Sequence, residues 1–180
     1  MTPPIAKLRF QTPTEAVITG RGFYQLEEDA LYVQVGPFDN SRRFFSYLEG
    51  DHVRLDIDRH GRLIFIEVDV ARRHWQVADN LCFPENARES DIRWLDFRKT
   101  ITDPQLITNR LRTILRLEFA CANPSRAYRP AEHIVIETDE NDHLVAIWIE
   151  DIIDDLAGQE IAAYRKQVRG SEHFFEQKRS

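Results

Sequence analysis

Cysteine is nearly absent. Only Cys82 and Cys121 occur in 180 residues, with no pair two residues apart, so a disulfide framework and a thiolate zinc site are both excluded. The seven glycines are dispersed and build neither a phosphate loop nor a nucleophile elbow, which removes the ordinary nucleotide-binding and serine-hydrolase readings. No apolar run approaches the roughly 18 residues of a membrane span, and the first ten residues, MTPPIAKLRF, lack a secretory pattern. A cytoplasmic protein without a membrane partner is therefore expected. The net charge of −6 excludes a general nucleic-acid binder, because phosphate neutralisation calls for a clustered basic surface. The short basic pairs Arg42-Arg43, Arg72-Arg73 and Lys178-Arg179 sit among acids and read as solvated charge.

What is present in quantity is alternation. From Asp51 to Val70 the apolar residues Val53, Leu55 and Ile57, then Ile64, Ile66, Val68 and Val70, recur every second position around Arg59-His60-Gly61-Arg62, which predicts a β-hairpin. Leu63 and Phe65 add a second apolar face, so the sheet must be covered on both sides. The segment Glu132 to Ile152 repeats the pattern. Val53 and Ile134, Leu55 and Ile136, Asp58 and Asp139, Leu63 and Leu144, Ile66 and Ile147, and Val68 and Ile149 each stand 81 residues apart. Leu31, Val33 and Val35 predict a strand that Leu115, Leu117 and Phe119 match. Val17 to Arg21 resembles Leu106 to Arg110, with Gly20 and Asn109 at a place suited to positive φ.

The expected fold is therefore mainly β (α+β): two tandem copies of a small antiparallel β-meander, packed as a pseudo-dimer, with a C-terminal helix. The first repeat spans 1–80, a connection 81–91, the second and diverged repeat 92–152, the helix 153–169 and a flexible tail 170–180. Ile153, Leu156, Ile161, Tyr164 and Val168 supply the helical spacing, and Asp154-Asp155 suits the helix start. Each half of about seventy residues is marginal alone, which favours packing them together.

Tyr24, the run Asp29-Ala30-Leu31-Tyr32-Val33, then Asp56-Ile57-Asp58, Gly61-Arg62-Leu63 and Ile66-Glu67-Val68 together resemble a bacterial family of short domains of unknown function. The resemblance covers about residues 22 to 72. In the second half Glu137 and Trp148 stand where Asp56 and Glu67 are, so that half is a diverged copy. The resemblance implies a small β-rich domain and a link to partner-protein binding.

Asp56, Asp58, His60, Gly61 and Glu67 also fall on an EF-hand template, but period-two flanks send alternate side chains to opposite faces and cannot gather them round one calcium ion. His52 and His133, each preceded by an acid, form a candidate metal pair. The long connections carry Ser41-Arg42-Arg43-Phe44 and Ser125-Arg126-Ala127-Tyr128 at a spacing of 84. An arginine beside an aromatic suits carboxylate, phosphate or protein recognition. Arg42, Phe44, Arg126 and Tyr128 are thus the expected binding residues of a non-enzymatic binding or protein-interaction module. Its expected partner is a protein or a small anionic ligand; no cofactor is implied, and the chain is a monomer or homodimer. The alternative is a metal-dependent enzyme using His52 and His133 with neighbouring carboxylates.

Overall fold

The computed structural model describes residues 4–14, 16, 18–37, 42–156 and 158–167. Ser41, the expected tail over 170–180 and the last two residues of the expected helix lie outside the described residues. In chain order the strands are β1 (Leu8–Gln11), β2 (Gly20–Gln25), β3 (Ala30–Val35), β4 (Ser46–Glu49), β5 (Val53–Ile57), β6 (Leu63–Val68), β7 (Gln76–Val77), β8 (Arg88–Glu89), β9 (Asp91–Trp94), β10 (Lys99–Thr100), β11 (Gln105–Thr108), β12 (Leu115–Glu118), β13 (Arg126–Ala131), β14 (Ile134–Thr138), β15 (Leu144–Ile149) and β16 (Ile153–Asp154), followed by α1 (Gln159–Gln167).

Two seven-stranded sheets repeat one topology. The first runs β16-β2-β3-β6-β5-β4-β10 and the second β7-β11-β12-β15-β14-β13-β8. The two hairpins agree residue by residue: Val53 pairs with Val68 and Ile134 with Ile149, Leu55 with Ile66 and Ile136 with Ile147. Both carry a bulge at the same place, where Ile64 and Val145 are the extra residues opposite Asp56/Ile57 and Glu137/Thr138. The cause is a shared turn. Asp58 Oδ1 accepts the amides of His60 and Arg62, and Asp139 Oδ1 those of Asn141 and His143, all at 2.9 Å. The bulge breaks the expected alternation of β6: Ile64 turns outward with Phe65, while Leu63, Ile66 and Val68 face inward.

Inward-facing residues of both sheets, including Leu31, Val33, Leu55, Ile66, Leu115, Leu117, Ile136 and Ile147, make one continuous buried core. The outer faces are covered differently. On the first sheet, Ile161 and Tyr164 of α1 lie over Phe23, Tyr32 and Phe65. On the second, Leu81, Phe83 and Ala87 of the connecting segment lie over Val135, Val145 and Trp148.

Edge strands cross between halves. β7, at the end of the first repeat, pairs in parallel with β11 of the second sheet, and β16 pairs in parallel with β2 of the first. β1 and β9 form an antiparallel ribbon between the sheets. The Leu8 amide donates to the Asp142 carbonyl at 3.0 Å, and the Trp94 amide to the Gly61 carbonyl at 2.7 Å, so each half's ribbon strand grips the other half's hairpin turn.

Several expectations are corrected. The helix begins at Gln159 rather than 153, because Ile153–Asp154 is a strand. The connections Gly36 to Gly50 and Ala122 to Ala131 contain β4 and β13. Their length carries the chain from β3 past β6 and β5, and from β12 past β15 and β14, at about 4.8 Å per strand. Register places Tyr24 opposite Leu31 and Thr108 opposite Leu115, so Thr108 corresponds to Tyr24, and the likeness of Val17–Arg21 to Leu106–Arg110 is not structural. Neither Gly20 nor Asn109 has positive φ. Gly20 is needed for space: a Cβ there would lie 2.2 Å from the Glu132 carbonyl oxygen.

Gly20→Ala is thus expected to force apart the start of β2 and the turn before β14, lowering unfolding free energy by about 1–3 kcal/mol. Equilibrium urea denaturation measures the loss.

Candidate functional site

A cavity of about 120 Å³ lies where the halves meet. The β1–β2 connection contributes Pro13 and Ile18, β3 ends in it at Val35, the first hairpin turn gives Arg62 and Leu63, β8 and β9 give Glu89 to Trp94, and β13 gives Arg129 and Pro130. Among the described residues, four arginines, Arg42, Arg62, Arg93 and Arg129, line it against two carboxylates, Glu89 and Asp91.

Each arginine is held in its own way. Arg93 chelates Asp91 through Nε and Nη2, at 3.0 and 2.7 Å, and donates from Nη1 to the His60 carbonyl at 3.0 Å. Arg62 Nε donates to Asp58 Oδ2 at 2.7 Å, tying the cavity wall to the hairpin turn. Arg42 is only 5% exposed and lies against Gly36, where a Cβ would come within 2.9 Å of its side chain and where φ is +94°. Arg129 differs: among the described residues its guanidinium has no ion-pair partner, and its buried Nε has no acceptor. Trp94, 1% exposed, likewise leaves its indole N–H without an acceptor among the described residues. Both groups are donors only, and buried donors are seldom left unmet.

Of the four binding residues expected from sequence, only Arg42 lines this cavity. Arg126 is exposed on β13 and paired with Asp142 at 3.2 Å. Tyr128 is buried and stacks on Phe10 with ring centroids 3.8 Å apart. Phe44, half-buried, stacks with Tyr47 beneath the Arg54 guanidinium. The repeat at a spacing of 84 is not a structural equivalence. Ser46 opposite Ile57 matches Arg126 opposite Thr138, and Leu48 opposite Leu55 matches Tyr128 opposite Ile136. Arg62, Arg93, Arg129 and Trp94 were missed because their convergence is tertiary. Arg93 and Trp94 lie on a ribbon strand whose partner, β1, is some 85 residues away, and no short-range pattern marks it.

The two candidate histidines sit at matching hairpin bases in unlike surroundings. His52 is clasped by Asp103: the amides of His52 and Val53 donate to it at 3.0 and 3.2 Å, and Nδ1 lies 2.8 Å from Oδ2. His133 faces Glu150 at 3.3 Å and Asp151 at 3.2 Å through the same Nδ1. The ligand atoms of His133, Glu150 and Asp151 fall within 4.8 Å of one another, a group His52 does not join among the described residues. Asp56 and Asp58 of the EF-hand template serve the fold. Asp56, 1% exposed, accepts from Arg54 Nε at 2.8 Å and from the Tyr164 hydroxyl, and Asp58 holds its turn. Cys82 and Cys121 are exposed free thiols. No helix among the described residues is long and apolar enough to cross a membrane.

Compared with known proteins, the chain matches no family model and no curated sequence.

The hydrogen bond that the His52 ring makes to Asp103 raises its pKa above the ordinary value of 6.5; desolvation opposes the shift, and the charges of Asp103, Asp51 and Asp69 add to it. A raised histidine contributes fully below the unfolded value and loses that contribution as pH rises through the folded one. Imidazole NMR titration should therefore show His52 titrating above its ordinary value, and Asp103→Asn should return it towards that value.

Proposed function

We propose that the chain is a non-enzymatic binding protein whose ligand is a small organic anion held in the cavity between its halves. The observation carrying this reading is a cavity lined, among the described residues, by four arginines and two carboxylates, in whose wall Arg129 Nε and Trp94 Nε1 are buried donors without an acceptor among those residues. A carboxylate or phosphate brings acceptor oxygens in the plane a guanidinium prefers. Ile18, Val35, Leu63 and Ile92 give an apolar body somewhere to rest, and a mostly apolar pocket with a few convergent polar groups is the usual design of a ligand site.

The wall supports binding rather than turnover. Arg93 and Arg62 are tied to Asp91 and Asp58, so these two carboxylates orient arginines and are not poised as general acid or base. No histidine or cysteine is among the described residues that line it.

Benzoate and phenyl phosphate serve as probes, with benzyl alcohol as the neutral control. Both anions should raise the thermal midpoint of the wild type and the alcohol should not. Arg129→Ala should weaken anion binding by about tenfold or more, the loss expected for a hydrogen bond to a charged group. Equal effects of alcohol and anion, or unchanged anion binding by Arg129→Ala, would overturn the proposal; isothermal calorimetry on both proteins decides it.

A further inference from the structure

The pseudo-symmetry of the hairpins exposes a second site. The amide of the residue after β6, Asp69, donates to the His52 carbonyl at 2.7 Å, and the amide after β15, Glu150, donates to the His133 carbonyl at 3.0 Å. Each hairpin base therefore sets an acid beside its histidine. The halves then diverge. After β10 the first sheet receives Ile101, whose amide bonds Glu49, and then Asp103, which takes up His52. After β8 the chain turns at once into β9, so no equivalent carboxylate arrives across the chain at His133. Asp151 stands where the first half has Val70. With φ of +52° at Asp151 and +64° at His133, the backbone turns the Asp151 carboxylate back onto the ring already faced by Glu150.

That arrangement is unbalanced as a salt bridge. A single ring nitrogen carries at most one proton, yet two carboxylate oxygens lie 3.3 and 3.2 Å from it. Among the described residues neither Glu150 nor Asp151 has a Lys or Arg partner. The pair keeps a net negative charge even against a protonated imidazole. A divalent cation would satisfy all three groups. Tetrahedral zinc with bonds of about 2.0–2.2 Å holds its ligands about 3.3–3.6 Å apart, close to the two separations seen.

We infer that His133, Glu150 and Asp151 form a binding site for one zinc-like divalent transition-metal ion, with water completing the coordination. One imidazole nitrogen and two carboxylate oxygens favour zinc over magnesium or calcium, which prefer oxygen donors alone. The half-buried His133 and Glu150 and the exposed Asp151 leave the ion accessible. The site is built within the second half and is independent of the arginine cavity.

The test is calorimetric titration of the tag-free full-length chain with zinc chloride, beside Glu150→Gln, His133→Asn and His52→Asn. Gln keeps the shape of Glu150, and Asn tolerates the left-handed backbone at His133. One zinc per chain is expected, with affinity more than about tenfold weaker in Glu150→Gln and His133→Asn and retained in His52→Asn. Melting in EDTA establishes that each variant is folded. Should one fail, the other and the visible absorption of the Co²⁺-loaded wild type decide, since a tetrahedral site gives an intense band. The inference is overturned by no zinc binding, by zinc binding unchanged in the folded variants, or by magnesium binding equally well.

Discussion

Two backbone hydrogen bonds organise this protein: the amide of Leu8 to the carbonyl of Asp142, and that of Trp94 to the carbonyl of Gly61. Each joins a ribbon strand of one half to the hairpin turn of the other. Hairpin turns are ordinarily the freest parts of a sheet, and here both are fixed by the opposite half. Gly61 is suited to the contact because its φ is +81° and a side chain would press on the Trp94 carbonyl, 2.8 Å from where a Cβ would sit. With both turns held, the inner faces of the sheets meet in register, and Leu8 and Trp94, almost wholly buried, close the core between them.

The twofold resemblance of the sheets is strongest in the core and weakest at the rim, and chemistry collects where it fails. Inside, apolar pairs match at both copies because packing tolerates only residues of similar volume. Outside, Asp56 of the first sheet accepts from Tyr164 of the helix, whereas Glu137 at the matching place accepts from the Trp148 indole. The same buried acceptor position is answered from a different element in each half. β10 and β8 occupy matching edges yet reach them from opposite sides of β9. That difference directs Asp103 to His52, leaves His133 to its own acids, and opens the arginine-lined cavity beside β8.

What could be read in the sequence was what local physics dictates. The hairpins 53–68 and 134–149 were legible because buried faces at period two and an aspartate bonding its own turn leave a pattern in neighbouring residues. β4 was hidden because Ser46 to Glu49 is short, has a serine at one of its two buried positions and follows an aromatic run that resembles a loop. Two-residue strands such as β7 and β16 carry no pattern at all; they exist only because a neighbouring edge stands open. Arg42 shows the limit at the site. Its neighbours suggested a surface residue, but Gly36 makes room for it, a contact no periodicity foretells. The likeness of Ser125–Tyr128 to Ser41–Phe44 was coincidence in composition, undone by register.

The crossed edge strands also set an order of completion during synthesis. The first sheet has β2 to β6 by residue 68, but its outer edge remains open until Ile153–Asp154 emerges to pair with Phe23 and Tyr24. Its outer aromatic face waits longer still, for Ile161 and Tyr164 of α1. A growing chain therefore presents an unpaired β edge and a bare aromatic surface through more than eighty residues of elongation, the combination on which chaperones act and from which aggregates start. The late pairing also spans about 130 residues, so closure of the first half belongs to the slow, non-local class of folding events.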